Sequence, residues 1–193
     1  MEKSRMESMK VKVGDVIIGG GADIVVQTMC NTHTYDVEAT VSQCIRMAEA
    51  GARIIRITVP GLKEVEDIRK IKAMLLKEGV TVPLVADIHF SSETAIAVAP
   101  YVEKVRINPG NFHRDHEQAR LQFSRLIEVC KNSGTAIRIG LNHGSLGEYI
   151  TSLYGNTPYA MAKAAMEWVE MCIESDFFEV VVSLKSSNTI TMV

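Results

Sequence analysis

Leu84-Val85-Ala86-Asp87-Ile88-His89, Val105-Arg106-Ile107-Asn108 and Ala136-Ile137-Arg138-Ile139-Gly140-Leu141 share one pattern. Each run is short and rich in aliphatic residues. Each is broken by a polar residue or glycine at alternate positions, as in a strand whose two faces meet different surroundings. Three more runs are of the same length: IVVQTM at 24–29, IIRITV at 54–59 and EVVVSL at 179–184. Helical patterns lie between them. Val41, Cys44, Ile45 and Ala48 mark one, and Val65, Ile68, Ile71 and Leu75 a second. Ser91 caps a third, running to about Ala99. Ala119, Phe123, Leu126, Ile127 and Cys130 mark a fourth, and Met161, Ala165, Trp168 and Cys172 a fifth. The fifth opens with Thr157 as N-cap and Pro158 at the first helical position. Gly51, Gly79 and Gly134 sit where helices stop.

Strand–helix alternation at this spacing implies parallel strands with helical crossovers. A flavodoxin-like open sheet and a (β/α)8 barrel both fit. A barrel typically takes about 250 residues. With 193 residues and six strands, a barrel reading leaves roughly two βα units unaccounted for. Ahead of the alternation, Val11 and Val13 lead into Gly14-Asp15 and then Val16-Ile17-Ile18, a β-hairpin signal. The expected fold is therefore α/β, with about six parallel strands preceded by a hairpin. Residues 1–10 are expected to be a flexible N-terminus, and 11–193 one domain.

Hydrophobic residues make up 47% of the chain and charged residues 23%, the balance of an ordinary globular protein. No apolar run reaches the roughly 20 residues that span a bilayer. Met1 to Lys10 has no apolar core and is no signal peptide. The net charge of -2 gives no general attraction to nucleic acid or to an acidic membrane. Four cysteines, at 30, 44, 130 and 172, show no C-x-x-C spacing. A cytoplasmic location, with Cys44, Cys130 and Cys172 as buried small hydrophobes, is the expectation.

The strand faces carry the functional reading. Arg56 and Thr58 share a face opposite Ile55 and Ile57. Asp87 and His89 oppose Ala86 and Ile88. Arg106 and Asn108 oppose Val105 and Ile107. Arg138, Gly140 and Asn142 oppose Ile137, Ile139 and Leu141, and Ser183 and Lys185 oppose Val182 and Leu184. In a parallel sheet covered on both faces, strands read as unbroken apolar runs. Here five successive strands break that rule at one level. Unpaired buried cations cost several kcal/mol each. Convergence of Arg56, Arg106, Arg138 and Lys185, with Asp87 to neutralise one of them, thus points to an anion pocket at the C-terminal ends of the strands. Arginine forks match phosphate oxygens. Asn108-Pro109-Gly110-Asn111 reads as a type II turn. Asn142-His143-Gly144-Ser145 follows the fifth strand, with backbone N–H groups suited to an anion. His113 and His116 have a spacing compatible with metal binding but commonest on solvated helices. His33 faces either the mouth or solvent.

In order, ADIVVQTMCNTHTYDVEATV, RIIRITVP, PLVADIHF, VRINPGNF, RIGLNHGSL and VVVSLKSSN resemble the N-terminal part of the 4-hydroxy-3-methylbut-2-en-1-yl diphosphate synthase family. These are the flavodoxin- or ferredoxin-dependent enzymes of non-mevalonate isoprenoid biosynthesis. The NHGSL form is similar to the plant, chlamydial and Bacteroidetes type, which carries an extra middle domain. The resemblance implies a TIM barrel followed by a separate domain holding a 4Fe-4S cluster on three cysteines and a glutamate. It implies 2-C-methyl-D-erythritol 2,4-cyclodiphosphate as substrate, whose ring is opened and a hydroxyl removed with two electrons. By motif, Arg56, Arg106, Arg138 and Lys185 would hold the diphosphate, and Asp87, His89 and Asn142 would line the carbon skeleton.

The resemblance leaves this chain without the last two βα units, any middle domain and the cluster domain. It is thus expected to be inactive alone and to bind no cluster itself. A homo-oligomer through open sheet edges is expected, with the edges covered by another chain, by the hairpin, or by both. The competing reading is a non-redox phosphate-ligand-binding barrel resembling the pterin-binding synthases.

Overall fold

A computed structural model describes residues 8–192. The N-terminal segment expected to be flexible, residues 1–10, thus lies largely outside the described residues. The chain runs through a hairpin, β1 (Val11–Val13) and β2 (Val16–Ile18), and then into the alternating region. This comprises β3 (Gln27–Met29), α1 (Val37–Glu49), β4 (Ile54–Thr58), α2 (Lys63–Lys77), β5 (Leu84–Asp87) and α3 (Ser92–Val98). It continues with β6 (Lys104–Ile107), α4 (Pro109–Phe112), α5 (His116–Ser133), β7 (Ala136–Asn142) and α6 (Glu148–Tyr154). It closes with α7 (Pro158–Glu174), β8 (Val180–Lys185) and α8 (Thr189–Met192).

β3 to β8 form one six-stranded parallel sheet in sequence order, a partial barrel. The sequential order excludes the doubly wound alternative, in which strand order reverses at a switch point. Local chemistry explains the helix starts. Asp36, Ser91, Asp115 and Thr157 each accept a hydrogen bond from the backbone N–H three residues on, at 2.8–3.1 Å. Gly134 closes α5 in the left-handed conformation, φ 70°.

Two apolar clusters hold the fold. The larger lies between the outer face of the sheet and the helices, and includes Ile57, Ala86, Ile107, Ile139, Phe123 and Trp168. Cys44, Cys130 and Cys172 are buried within it, as expected. The smaller lies inside the curve of the sheet, at the N-terminal ends of the strands. Val11, Val13 and Val16 of the hairpin pack there on Ile54, Val85 and Ala136. This corrects the expectation that the hairpin covers a sheet edge. It forms its own two-stranded sheet and plugs the floor of the barrel interior. The reason is visible in alternation: its three buried valines need an apolar surface, and the inward residues at the strand starts supply one.

β3 and β8 each have a single strand neighbour. β3 is shorter than its sequence run, because Ile24 and Val26, 96% and 57% exposed, precede the paired residues. On β8, Val182 and Leu184 remain exposed.

Candidate functional site

The register sets Thr58, Asp87, Arg106 and Arg138 side by side across β4 to β7. All four project into the barrel interior, above the hairpin floor. Asp87, with its side chain 1% exposed, receives three partners. Arg56 Nη2 lies 2.5 Å from Oδ2, Arg106 Nη1 3.2 Å from Oδ1, and His89 Nε2 3.1 Å from Oδ2. The sequence reading allotted Asp87 one cation; the structure gives it two guanidinium groups and an imidazole.

Arg106 lies flat across β7. Its Nη2 donates to the Gly140 carbonyl at 3.0 Å. A Cβ on residue 140 would meet Arg106 Nε at 2.6 Å, so the glycine is what lets the guanidinium cross. Arg138 Nη2 donates to Ser183 Oγ at 2.8 Å. The Nε atoms of Arg56 and Arg138 are buried and have no hydrogen-bond partner among the described residues. Such orphaned donors are rare in folded proteins.

Lys185 joins the group from β8, and Lys104 from β6. Lys104 was missed in the sequence reading. It lies two residues before Arg106 on the same face and is 2% exposed. Starting the fourth strand one residue earlier than Val105 would have found it. Among the described residues, five cations thus gather on this face around the single carboxylate of Asp87. Burial and mutual repulsion act on them together. Burial, followed by Arg56 and Arg106, lowers Arg138 from its ordinary value. Burial, followed by Arg106, Arg138 and Arg56, lowers Lys185. An anion would relieve both effects.

The two loops beyond β6 and β7 behave differently from expectation. Asn108–Asn111 is the start of a short helix, not a type II turn. Gly110 does not adopt the positive φ that such a turn requires. Asn108 instead caps α4, accepting from Gly110 N at 3.2 Å, with Pro109 at the first helical position. Asn108 Nδ2 also donates to Ser145 Oγ at 2.8 Å, and Gly110 lies so close to the Ser145–Gly147 backbone that a side chain would clash. Nor does 142–145 offer a nest of free amides. His143 N donates to Lys185 O and Ser145 N to Asn142 O, both at 2.9 Å. These loops lock to each other and hold Asn142 and Lys185 at the rim.

The remaining histidines do not converge. His116 Nε2 donates to Glu167 Oε1 at 2.8 Å and its ring stacks on Tyr149 with centroids 3.8 Å apart. His113 bonds within its own loop, and both border a separate cavity of about 440 Å³ beside Trp168. His33 is exposed and stacks on Tyr35.

An iron–sulfur cluster finds no fitting ligand set here. Cys30 and Cys44 face one another, with Sγ atoms 3.5 Å apart. Cys130 and Cys172 are buried on α5 and α7, and burial pushes both thiols up to about 12. Among the described residues, no three His, Cys, Asp or Glu side chains gather to hold a metal ion. No helix among the described residues is long and apolar enough to cross a membrane.

Comparison with known proteins agrees with this architecture. The GcpE TIM-barrel domain family matches residues 8–193. A 4-hydroxy-3-methylbut-2-en-1-yl diphosphate synthase (flavodoxin) of Parabacteroides distasonis is 44% identical over 98% of this chain and 34% of its own length. The proteins of that name from Bacteroides fragilis and Chlamydia muridarum are 43% and 44% identical over the same share of this chain. The chain spans about a third of the length of these relatives. Among solved structures, a truncated 3-deoxy-D-arabino-heptulosonate 7-phosphate synthase from Thermotoga maritima aligns with a TM-score of 0.60 and 16% identity. It covers 95% of this chain and 60% of that one. A DAHP synthase from the same organism gives 0.58 and 17%, over 91% and 45%. These two are similar in fold alone.

Proposed function

The chain belongs to the GcpE TIM-barrel domain family, and from that premise we propose that its cationic mouth binds the diphosphate of 2-C-methyl-D-erythritol 2,4-cyclodiphosphate. The whole protein would then be the oxidoreductase that opens this ring and removes a hydroxyl to give 4-hydroxy-3-methylbut-2-enyl diphosphate. Its electron donor would be flavodoxin or ferredoxin. The observation that carries the reading is the pair of buried, unpartnered Nε donors on Arg56 and Arg138, on a face where, among the described residues, five cations gather around one carboxylate.

Each residue has a task in this reading. Arg56, Arg106 and Arg138 clamp phosphate oxygens, with Lys185 at the rim. Asp87 does not meet the diphosphate, since like charges repel. It holds Arg56 and Arg106 in place at the mouth. His89, linked to Asp87 and partly exposed, faces the carbon skeleton together with Asn142. Pre-aligned donors of this kind bind an anion without reorganising at the moment of binding. The two electrons would come through a 4Fe-4S cluster held outside these residues, and these side chains only bind and orient the substrate.

The domain assignment is part of the same proposal: residues 11–193 form the substrate-binding portion of a barrel. A second copy pairing along the exposed edges, β3 or β8, would complete its surface. The test is binding of the cyclodiphosphate to the whole protein carrying Arg106→Ala and Arg138→Ala. A loss of affinity of roughly a hundredfold or more is expected from two charge-assisted contacts. Unchanged affinity would remove the clamp assignment. The non-redox alternative has no observation in its favour beyond the shared anion site.

A further inference from the structure

Lys104 stands apart from the other cations. It opens β6, pairs in register with Val85 and Ala136, and points inward. It is one pleat deeper than Arg106 and Arg138, level with Val85 and Ala136, on which the hairpin valines pack. Lys104 is only 2% exposed, and among the described residues its ammonium has neither a hydrogen bond nor an ion pair; unlike Arg56 Nε and Arg138 Nε it is not fully enclosed. Asp87, one pleat nearer the mouth, is already held by Arg56, Arg106 and His89. Glu103, next in sequence, turns away to Lys72 Nζ at 2.6 Å and Leu84 N at 2.7 Å. A long apolar side chain would suit this floor better than a lysine without a counterion. A charge kept in such a place implies a counterion that comes and goes.

We infer that Lys104 is a further ligand-binding residue, whose ammonium meets the phosphate oxygen that reaches deepest into the mouth, beneath Arg106 and Arg138. The inference rests on the anion-pocket reading and deepens it. Burial, followed by repulsion from Arg138 and Arg56, lowers Lys104 to about 8. The charged groups that act on it are Arg138 on β7 and Arg56 on β4; Asp87, Arg106 and Arg138 stand one pleat nearer the mouth, and Glu179, just before β8, is held by the hairpin's Lys12 N. The hairpin presents Val11, Val13, Val16 and Ile18. An incoming phosphate adds negative charge and restores the lysine to full protonation, so binding is linked to proton uptake.

Calorimetric titration with inorganic pyrophosphate, in two buffers of different ionisation enthalpy, tests this on the 193-residue chain. Wild type, Lys104→Met, Lys104→Gln and, as a control outside the mouth, Lys77→Met on the exposed end of α2 would be compared. Proton exchange by pyrophosphate itself is common to all four and cancels in the differences. Wild type should take up roughly half a proton more than the Lys104 variants at pH 8, and about a tenth at pH 7. Lys77→Met should retain both the affinity and that uptake. Affinity at pH 7 should fall roughly tenfold to a hundredfold in both Lys104 variants. Unliganded Lys104→Met should melt at a higher temperature than wild type. Lys104 variants that bind within twofold of wild type with equal proton uptake would overturn the inference and leave the pocket intact. A lower melting temperature for both variants would overturn it too, by showing a structural role. Failure of wild type itself to bind pyrophosphate would remove the pocket reading, and this inference with it.

Discussion

The two ends of the barrel interior are built by the same strands and the same alternation, yet they are chemical opposites. At the N-terminal end, Ile54, Val85 and Ala136 meet Val11, Val13 and Val16 of the hairpin. Two residues further along the same strands stand Arg56, Asp87 and Arg138, with Arg106 between the last two. The floor buries apolar surface and stabilises the fold. The mouth gathers like charges, with one carboxylate holding two arginines, and opposes it. A structure that carries such a mouth must derive its stability elsewhere. The floor plug and the outer-face core supply that. The difference separates residues that make the fold from residues that the fold supports.

The largest effect should come from removing the mouth's one carboxylate. Asp87→Asn leaves Arg56 and Arg106 buried without a counter-charge. Chemical denaturation of the unliganded chain should show a loss of about 3–5 kcal/mol. Pyrophosphate should recover part of it, because an anion binding only the folded state adds stability by mass action. A loss under about 1 kcal/mol would mean the arginines are solvated rather than held.

Lys104→Met should move stability the other way. The folded lysine is lowered to about 8, against an ordinary 10.5. Below pH 8 both states carry the proton, and the burial penalty is fully present. Between pH 8 and 10.5 the unfolded chain keeps its proton while the folded chain loses it, so wild-type stability rises with pH. The variant should therefore gain about 2–3 kcal/mol at pH 7, with the advantage vanishing towards pH 10.5. Denaturation curves at three pH values would check it.

At the floor, Val13→Ala should cost about 2 kcal/mol, since Val13 is fully buried. Pyrophosphate affinity should stay within twofold. A matching loss of affinity would mean that the two ends are coupled rather than separable. The smallest effect is at the edge. Val182→Lys on β8 should lower self-association in sedimentation at micromolar concentration with little change in stability, because charge on an edge strand discourages pairing.

Much of this contrast was legible in the sequence. Period-two alternation put Arg56, Asp87, Arg106 and Arg138 on one face, because a strand fixes the direction of every second side chain. The caps at Ser91 and Thr157 were readable because a side-chain oxygen three residues ahead of an amide is a local device. What escaped was non-local or marginal. Lys104 was missed because the strand edge was drawn one residue late. Proline followed by glycine suits a type II turn, and also a helix start when Asn108 caps it; the Ser145 contact is what accompanies the second choice. Nothing in Val11–Ile18 says which surface a hairpin covers. That depends on the strands coming together to offer Ile54, Val85 and Ala136 as one patch.

The separation of mouth from floor is tested most directly by one calorimetric series with pyrophosphate on wild type, Arg138→Ala and Val13→Ala. Arg138 contributes one of the two orphaned Nε donors and, among the described residues, makes its side-chain hydrogen bond to Ser183. Its loss should weaken binding roughly tenfold or more, while Val13→Ala binds as wild type does despite its lower stability. Equal affinities for wild type and Arg138→Ala, or a loss confined to Val13→Ala, would contradict the account.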